Sequence, residues 1–253
     1  MTETPLGLSL IFVSGVGAAA INAVAGGGTL ISFPTLLAMG LPDRVANATN
    51  AVALWPGSAS GALGFHKYFQ DAKAEIKFLL PSTIIGSILG SILLVVTPEQ
   101  LFKTFVPFLI LAATLLLAFQ VRIKKWSMQA EFHLNPWIAS LLQFFVALYG
   151  GYFGAGMGIM MLAIMSLYVE GDIHRLNAIK NWLAVVINFG ASAILIYKGL
   201  VSLYPALALM AGAVVGGYFS AKMSLKVPAE GMRRAIVVYG FVMVGIMMWR
   251  LWA

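Results

Sequence analysis

Lys180 stands inside HRLNAIKNWLAVVINFG (174–190), an otherwise apolar run in which it is the only ammonium. At 100° per residue, Asn177, Lys180, Asn181, Ala184 and Asn188 fall on one helical stripe about 100° wide. A polar stripe on an apolar helix faces other protein or a wet cavity. A cation on it is costly in a membrane and marks a path for ions or substrate. Lys180 lies roughly 8–10 Å from the start of its segment. Two readings fit that depth: the ammonium snorkels to the headgroups beside Arg175, or it faces a cavity and draws an anion.

The matching stretch in the first half, RVANATNAVALWPGSASG (44–61), supplies Asn47, Thr49, Asn50, Trp55, Ser58 and Ser60. Thr49 takes the place of Lys180, so the halves differ chemically. Pro56 removes a helical N–H bond there and should kink the helix. Asn22, Thr29 and Ser32 add neutral donors of the kind an oxyanion needs, or act as glue between helices.

Glycine runs precede two short apolar stretches. AVAGGGTLISFP (23–34) holds Gly26, Gly27 and Gly28, and GGYFGAGMG (150–158) holds Gly154, Gly156 and Gly158. Glycines in series break helices. They also let backbone approach a ligand, and the helix that follows offers unpaired N–H groups and a positive dipole end. Together with Asn22, Thr29, Asn47, Thr49, Asn50, Asn177, Lys180 and Asn181, these six glycines form the candidate binding set for a small anion.

The elements that must position them are membrane helices. Of 253 residues, 60% are hydrophobic and 10% charged, with mean hydropathy +0.92. Soluble domains carry about 25% charged residues. Apolar segments recur at about 6–25, 45–65, 76–96, 101–121, 135–156, 176–197, 202–221 and 231–251, each long enough to cross ~30 Å of hydrocarbon. TLISFPTLLAM (29–39) and IMMLAIMSLYV (159–169) are too short to span comfortably and read as broken or re-entrant helices. No positively charged n-region precedes the first segment, where Glu3 is the only charged side chain, so it reads as a retained helix rather than a signal peptide.

The halves repeat. A shift of 131 sets Gly40, Arg44, Asn50, Lys67 and Gly86 on Gly171, Arg175, Asn181, Lys198 and Gly217, and nearby shifts set Gly28 on Gly158 and Pro98 on Pro228. The expected organisation is a first transmembrane repeat (1–121), a cytoplasmic linker (122–134) and a second transmembrane repeat (135–253). If the short segments continue their helices, the Lys and Arg residues divide eight against eight between the two sides. If they return the chain to the side it came from, twelve fall on one side, and only Arg44, Lys103, Lys198 and Arg250 on the other. The second count obeys the positive-inside rule. It makes the fold an all-α polytopic membrane protein of two inverted repeats, each of about four full helices plus a short one, with both termini outside.

Several chemistries find no support. There is no cysteine, and His133 and His174 lack partners at metal-ligand spacing, so no metal or other cofactor is expected. Asp43, Glu99, Glu170 and Asp172 stand at segment ends, which gives no mid-membrane carboxylate relay. The net charge of +7 is loop charge, not a nucleic-acid surface. Gly86 with Gly90, and Gly212 with Gly216, have the spacing of close helix packing. Arg44 and Arg175 read as interface anchors or as gates. Expected partners are a small anion and the lipid bilayer, and the chain is compatible with a homo-oligomer.

NAVAGGGTLISFPTLLAMGLPDRVANATN and GGYFGAGMGIMMLAIMSLYVEGDIHRLNAIKN resemble the sulfite exporter TauE/SafE family of bacterial membrane transporters. The resemblance covers nearly the whole chain. It implies a transporter, not an enzyme, moving sulfite or an organosulfonate such as sulfoacetate across the inner membrane. An anion channel or a non-transporting assembly subunit are the alternatives.

Overall fold

The computed structural model describes residues 4–24, 26–64, 66–130, 133–170, 173–223 and 229–252. Among them there is no strand. The helices are α1 (Pro5–Val24), α2 (Thr29–Ala38), α3 (Asp43–Gly64), α4 (Phe69–Val96), α5 (Glu99–Gln129), α6 (Pro136–Tyr152), α7 (Met157–Tyr168), α8 (Ile173–Tyr197), α9 (Leu203–Met223) and α10 (Ala229–Trp252). Each apolar segment read from the sequence corresponds to one of them. Gly171, Asp172, Lys226 and Pro228, used in the repeat and charge counts, lie outside the described residues.

Among the described residues, four stretches are long and apolar enough to cross a bilayer: Pro5–Asn22, Phe69–Val96, Glu99–Gln129 and Ile173–Tyr197. Thr29–Ala38, Met157–Tyr168 and Leu203–Phe219 are shorter apolar helices. The outer faces of α4 and α5 expose Ile85, Leu89, Leu93, Phe105, Phe108 and Phe119. So broad an apolar surface belongs in lipid, not water.

The polar stretch from Arg122 is not all connection. α5 continues to Gln129, because Arg, Lys and Gln favour helix and no Gly or Pro intervenes before Pro136. The Ser166 hydroxyl on α7 donates to Ser127 Oγ at 2.7 Å and fixes this extension. α3 also runs through Pro56 without ending.

α3 and α8 pack together at the centre. Around them, α1 packs on α9 as α6 packs on α4, and α9 covers α3 as α4 covers α8. This partner pattern is unchanged when α1–α5 are exchanged for α6–α10. Glycines let the outer pairs close. A Cβ on Gly86 or Gly90 would sit 2.4 Å from Phe144 O or 2.0 Å from Leu148 O on α6. On Gly212 or Gly216 it would sit 2.0 Å from Phe12 O or 2.1 Å from Val16 O on α1. The two glycine pairs are packing surfaces, as their spacing suggested.

Candidate functional site

α1 and α6 end in the same way. The Gly26 N–H donates back to Ile21 O at 3.1 Å, and the Gly154 N–H to Tyr149 O at 3.1 Å. Both glycines take positive φ, +83° and +79°, the conformation that lets a helix terminate by wrapping its last carbonyls. The chain then starts α2 from Gly28 and α7 from Gly156, neither with a side-chain cap. Two helix N-termini thus lie inside the protein, and most of their first N–H groups turn back on the breaks. The Leu30 N–H donates to Gly27 O at 3.1 Å and the Ile31 N–H to Gly28 O at 2.9 Å, as the Met157 N–H does to Gly154 O at 3.3 Å and the Ile159 N–H to Gly156 O at 3.0 Å. Counted from these starts, Gly28 corresponds to Gly156 rather than to Gly158, since α7 has 12 residues and α2 has 10.

The two breaks touch. A Cβ placed on Gly26 would lie 2.6 Å from the Gly158 Cα, and one on Gly158 would lie 2.6 Å from the Gly26 Cα and 3.4 Å from Lys180 Cδ. Only glycine at both positions allows this approach. The Lys180 Nζ donates to Asn22 O at 2.9 Å, in the last turn of α1. Asn22 uses its side chain as well, accepting the Gly28 N–H on Oδ1 at 2.8 Å. One asparagine thus joins the end of α1, the start of α2 and the ammonium from α8. Lys180 is 1% exposed, so its ammonium lies inside the bundle and does not reach out beside Arg175. A cation at a helix C-terminus also meets the negative end of the dipole.

A second cluster lies along α2. The Ser32 hydroxyl donates to Asn50 Oδ1, and Asn50 Nδ2 donates to Thr29 Oγ1 at 3.4 Å. Asn177 and Asn181 are buried on the stripe with Lys180, and the Asn177 Oδ1 has no hydrogen-bond partner among the described residues.

Other candidates turn elsewhere. Asn47 donates to Tyr152 O at 2.8 Å, at the end of α6. Thr49 accepts the Ser202 N–H at 3.0 Å and holds the α8–α9 connection, so it does not repeat the role of Lys180. Gly27 faces Leu117 and Gly156 faces Ala113 and Leu116, all on α5. α5 therefore closes the breaks from behind, and nothing in its even apolar pattern signals that. The Tyr149 hydroxyl, bonded to Ala155 O at 2.7 Å, is a further support of the second break. Phe33 on α2 meets Phe153 beside that break edge-on, centroids 5.3 Å apart. Among the described residues no group of three His, Asp or Glu side chains could hold a metal ion.

Broken helices meeting inside an apolar bundle, with buried amides and an ammonium beside them, are a common construction of multi-pass membrane transporters. The chain belongs to the sulfite exporter TauE/SafE family, whose sequence profile matches residues 11–248. It is 30% identical over 244 residues to a "Probable membrane transporter protein" of Haemophilus influenzae, covering 96% of this chain and 94% of that one. It is 26% identical over 236 residues to "Probable membrane transporter protein ORF9" of Sinorhizobium sp (91% and 88% covered). It is 23% identical over 240 residues to "Probable membrane transporter protein YfcA" of Escherichia coli K12 (95% and 89% covered). These relatives carry the names of transporters, not enzymes. No solved structure matches the chain significantly.

Proposed function

We propose that this protein is a secondary transporter of a small sulfur-containing oxyanion, sulfite or an organosulfonate such as sulfoacetate, in a bacterial inner membrane. The observation that carries the reading is the contact of Gly26 with Gly158 beside the buried Lys180. Broken helices in corresponding places of two halves are the common construction of a mid-membrane transport site. Helix N-termini, Asn and Ser groups and one ammonium suit an oxyanion, and sulfur comes from the family. The exchange of packing partners between α1–α5 and α6–α10 supports two inverted repeats moving about the breaks by alternating access. Both termini would then face outside.

The test is thermal unfolding of the purified protein with sulfite, sulfoacetate, taurine, sulfate, acetate and chloride. A ligand specific to the folded state adds about 2.7 kcal/mol at one hundred times its Kd. Selective stabilisation by sulfite or a sulfonate is expected. A panel without selectivity would refute the sulfur reading. Uptake that never saturates would favour a channel.

A further inference from the structure

Arg44 and Arg175 hold opposite ends of one helix. Arg175, in the first turn of α8, donates from Nη2 to Glu75 Oε1 at 2.8 Å and to Asp71 O at 2.8 Å, both near the start of α4. Its Nη1 donates to Glu170 O, just beyond α7. Arg44, in the first turn of α3, sets its Nε 3.1 Å from Glu99 Oε2. Its Nη1 donates to Val95 O at 3.3 Å and to Thr97 O, at the far end of α4. From Glu75 to Val95 a helix rises ~30 Å, the thickness of the hydrocarbon core. The two clusters therefore stand at the two membrane faces, wherever the termini lie.

Each cluster grips the end of a site helix. Asn47 and Asn50 follow Arg44 along α3, and Asn177, Lys180 and Asn181 follow Arg175 along α8. Both arginine side chains are partly buried, 22% and 26% exposed, so salt screens them less than surface pairs. The Arg175 pair is not bidentate: Glu75 Oε2 is buried without a hydrogen-bond partner among the described residues. A contact left partly unsatisfied is one that can be exchanged for water.

We propose that the two arginine clusters are gate latches, one per membrane face, both closed in this structure. Opening toward a face breaks the latch there while the other holds. The proposal rests on the transporter reading for its alternation but not on sulfur as the substrate.

The native chain has no cysteine, so Ala184→Cys, on the polar stripe of α8 and 7% exposed, reports access to the interior. A membrane-impermeant maleimide is applied to right-side-out and to inside-out vesicles. In the reporter background, Glu75→Gln should raise the labelling rate roughly tenfold from the Glu75 face alone, and Glu99→Gln from the Glu99 face alone. Glu75→Asp, which keeps the charge, should raise it less. Labelling unchanged, or raised equally from both faces, with only a lower melting temperature would make the clusters plain anchors and overturn the proposal. If Glu75→Gln does not fold, Glu99→Gln decides alone by the same criteria. One-sided labelling with a flat anion panel would leave the latches standing and remove only the sulfur reading.

Discussion

Lys180 is where charge, burial and backbone geometry coincide. Its ammonium completes the end of α1 through Asn22 O, and its stem lies against the contact of the two breaks. Lys180→Met keeps the length of the stem and removes the charge. Hydrogen bonds to charged groups contribute about 1.5–3 kcal/mol, so if the proposed anion binds here, the variant should fold and bind it at least about tenfold more weakly. The shift in melting temperature on adding ligand measures this, and undiminished binding would take Lys180 out of the site. Thr49→Val should behave in the opposite way. Its hydroxyl holds the Ser202 N–H, so the change should cost about 1 kcal/mol of stability and leave affinity alone. The contrast marks what the sequence could tell at this scale. Residue type and helical phase identified Lys180, Asn177 and Asn181 as inward-facing. They could not show that Thr49 looks toward the α8–α9 connection, because Ser202 lies far along the chain and no periodicity relates the two. The acids that hold Arg44 and Arg175 were hidden for the same reason.

At the scale of elements, the triple glycine of the first half divides its work unequally. A Cβ on Gly28 would sit 1.9 Å from Ala18 O, against backbone that cannot yield, whereas one on Gly27 would meet only the Leu117 side chain at 3.2 Å. Gly28→Ala should therefore destabilise by ~3 kcal/mol or more, and Gly27→Ala by about 1 kcal/mol, since overpacking costs most where nothing can move. Chemical unfolding of the two variants in detergent compares them. Equal stability would mean that α2 does not lie against α1 as described. The helices themselves were legible, because a run of twenty apolar residues bounded by Gly or Pro admits few other structures in lipid. The short helices were legible as breaks. Their register was not: α7 is two residues longer than α2, and GAGMG offers glycines at either alignment. The helical end of α5 is not legible from polarity, which a connection shares, although Arg122, Lys124 and Lys125 are good helix formers.

For the whole molecule, the two topologies that the charges allow differ in which face the end of α8 reaches. α8 begins beside Glu75 near the start of α4, and Lys67 and Lys73 belong to that end of the bundle. Its 25 residues rise ~37 Å, which carries Lys198 to the opposite end. If α2 and α7 simply prolonged their neighbours, Lys67, Lys124 and Lys198 would share a face. If they return the chain, Lys198 stands alone against the other two, in keeping with the excess of Lys and Arg on cytoplasmic loops. All three side chains are exposed, and without native cysteines each can be replaced singly. In intact cells, Lys198→Cys is expected to react with an impermeant maleimide. Lys67→Cys and Lys124→Cys should react only once the cells are opened. Reaction of all three from one side would make the halves parallel rather than inverted. The breaks would still meet at Gly26 and Gly158, but their helix N-termini could not alternate between faces by a symmetric exchange of the two halves.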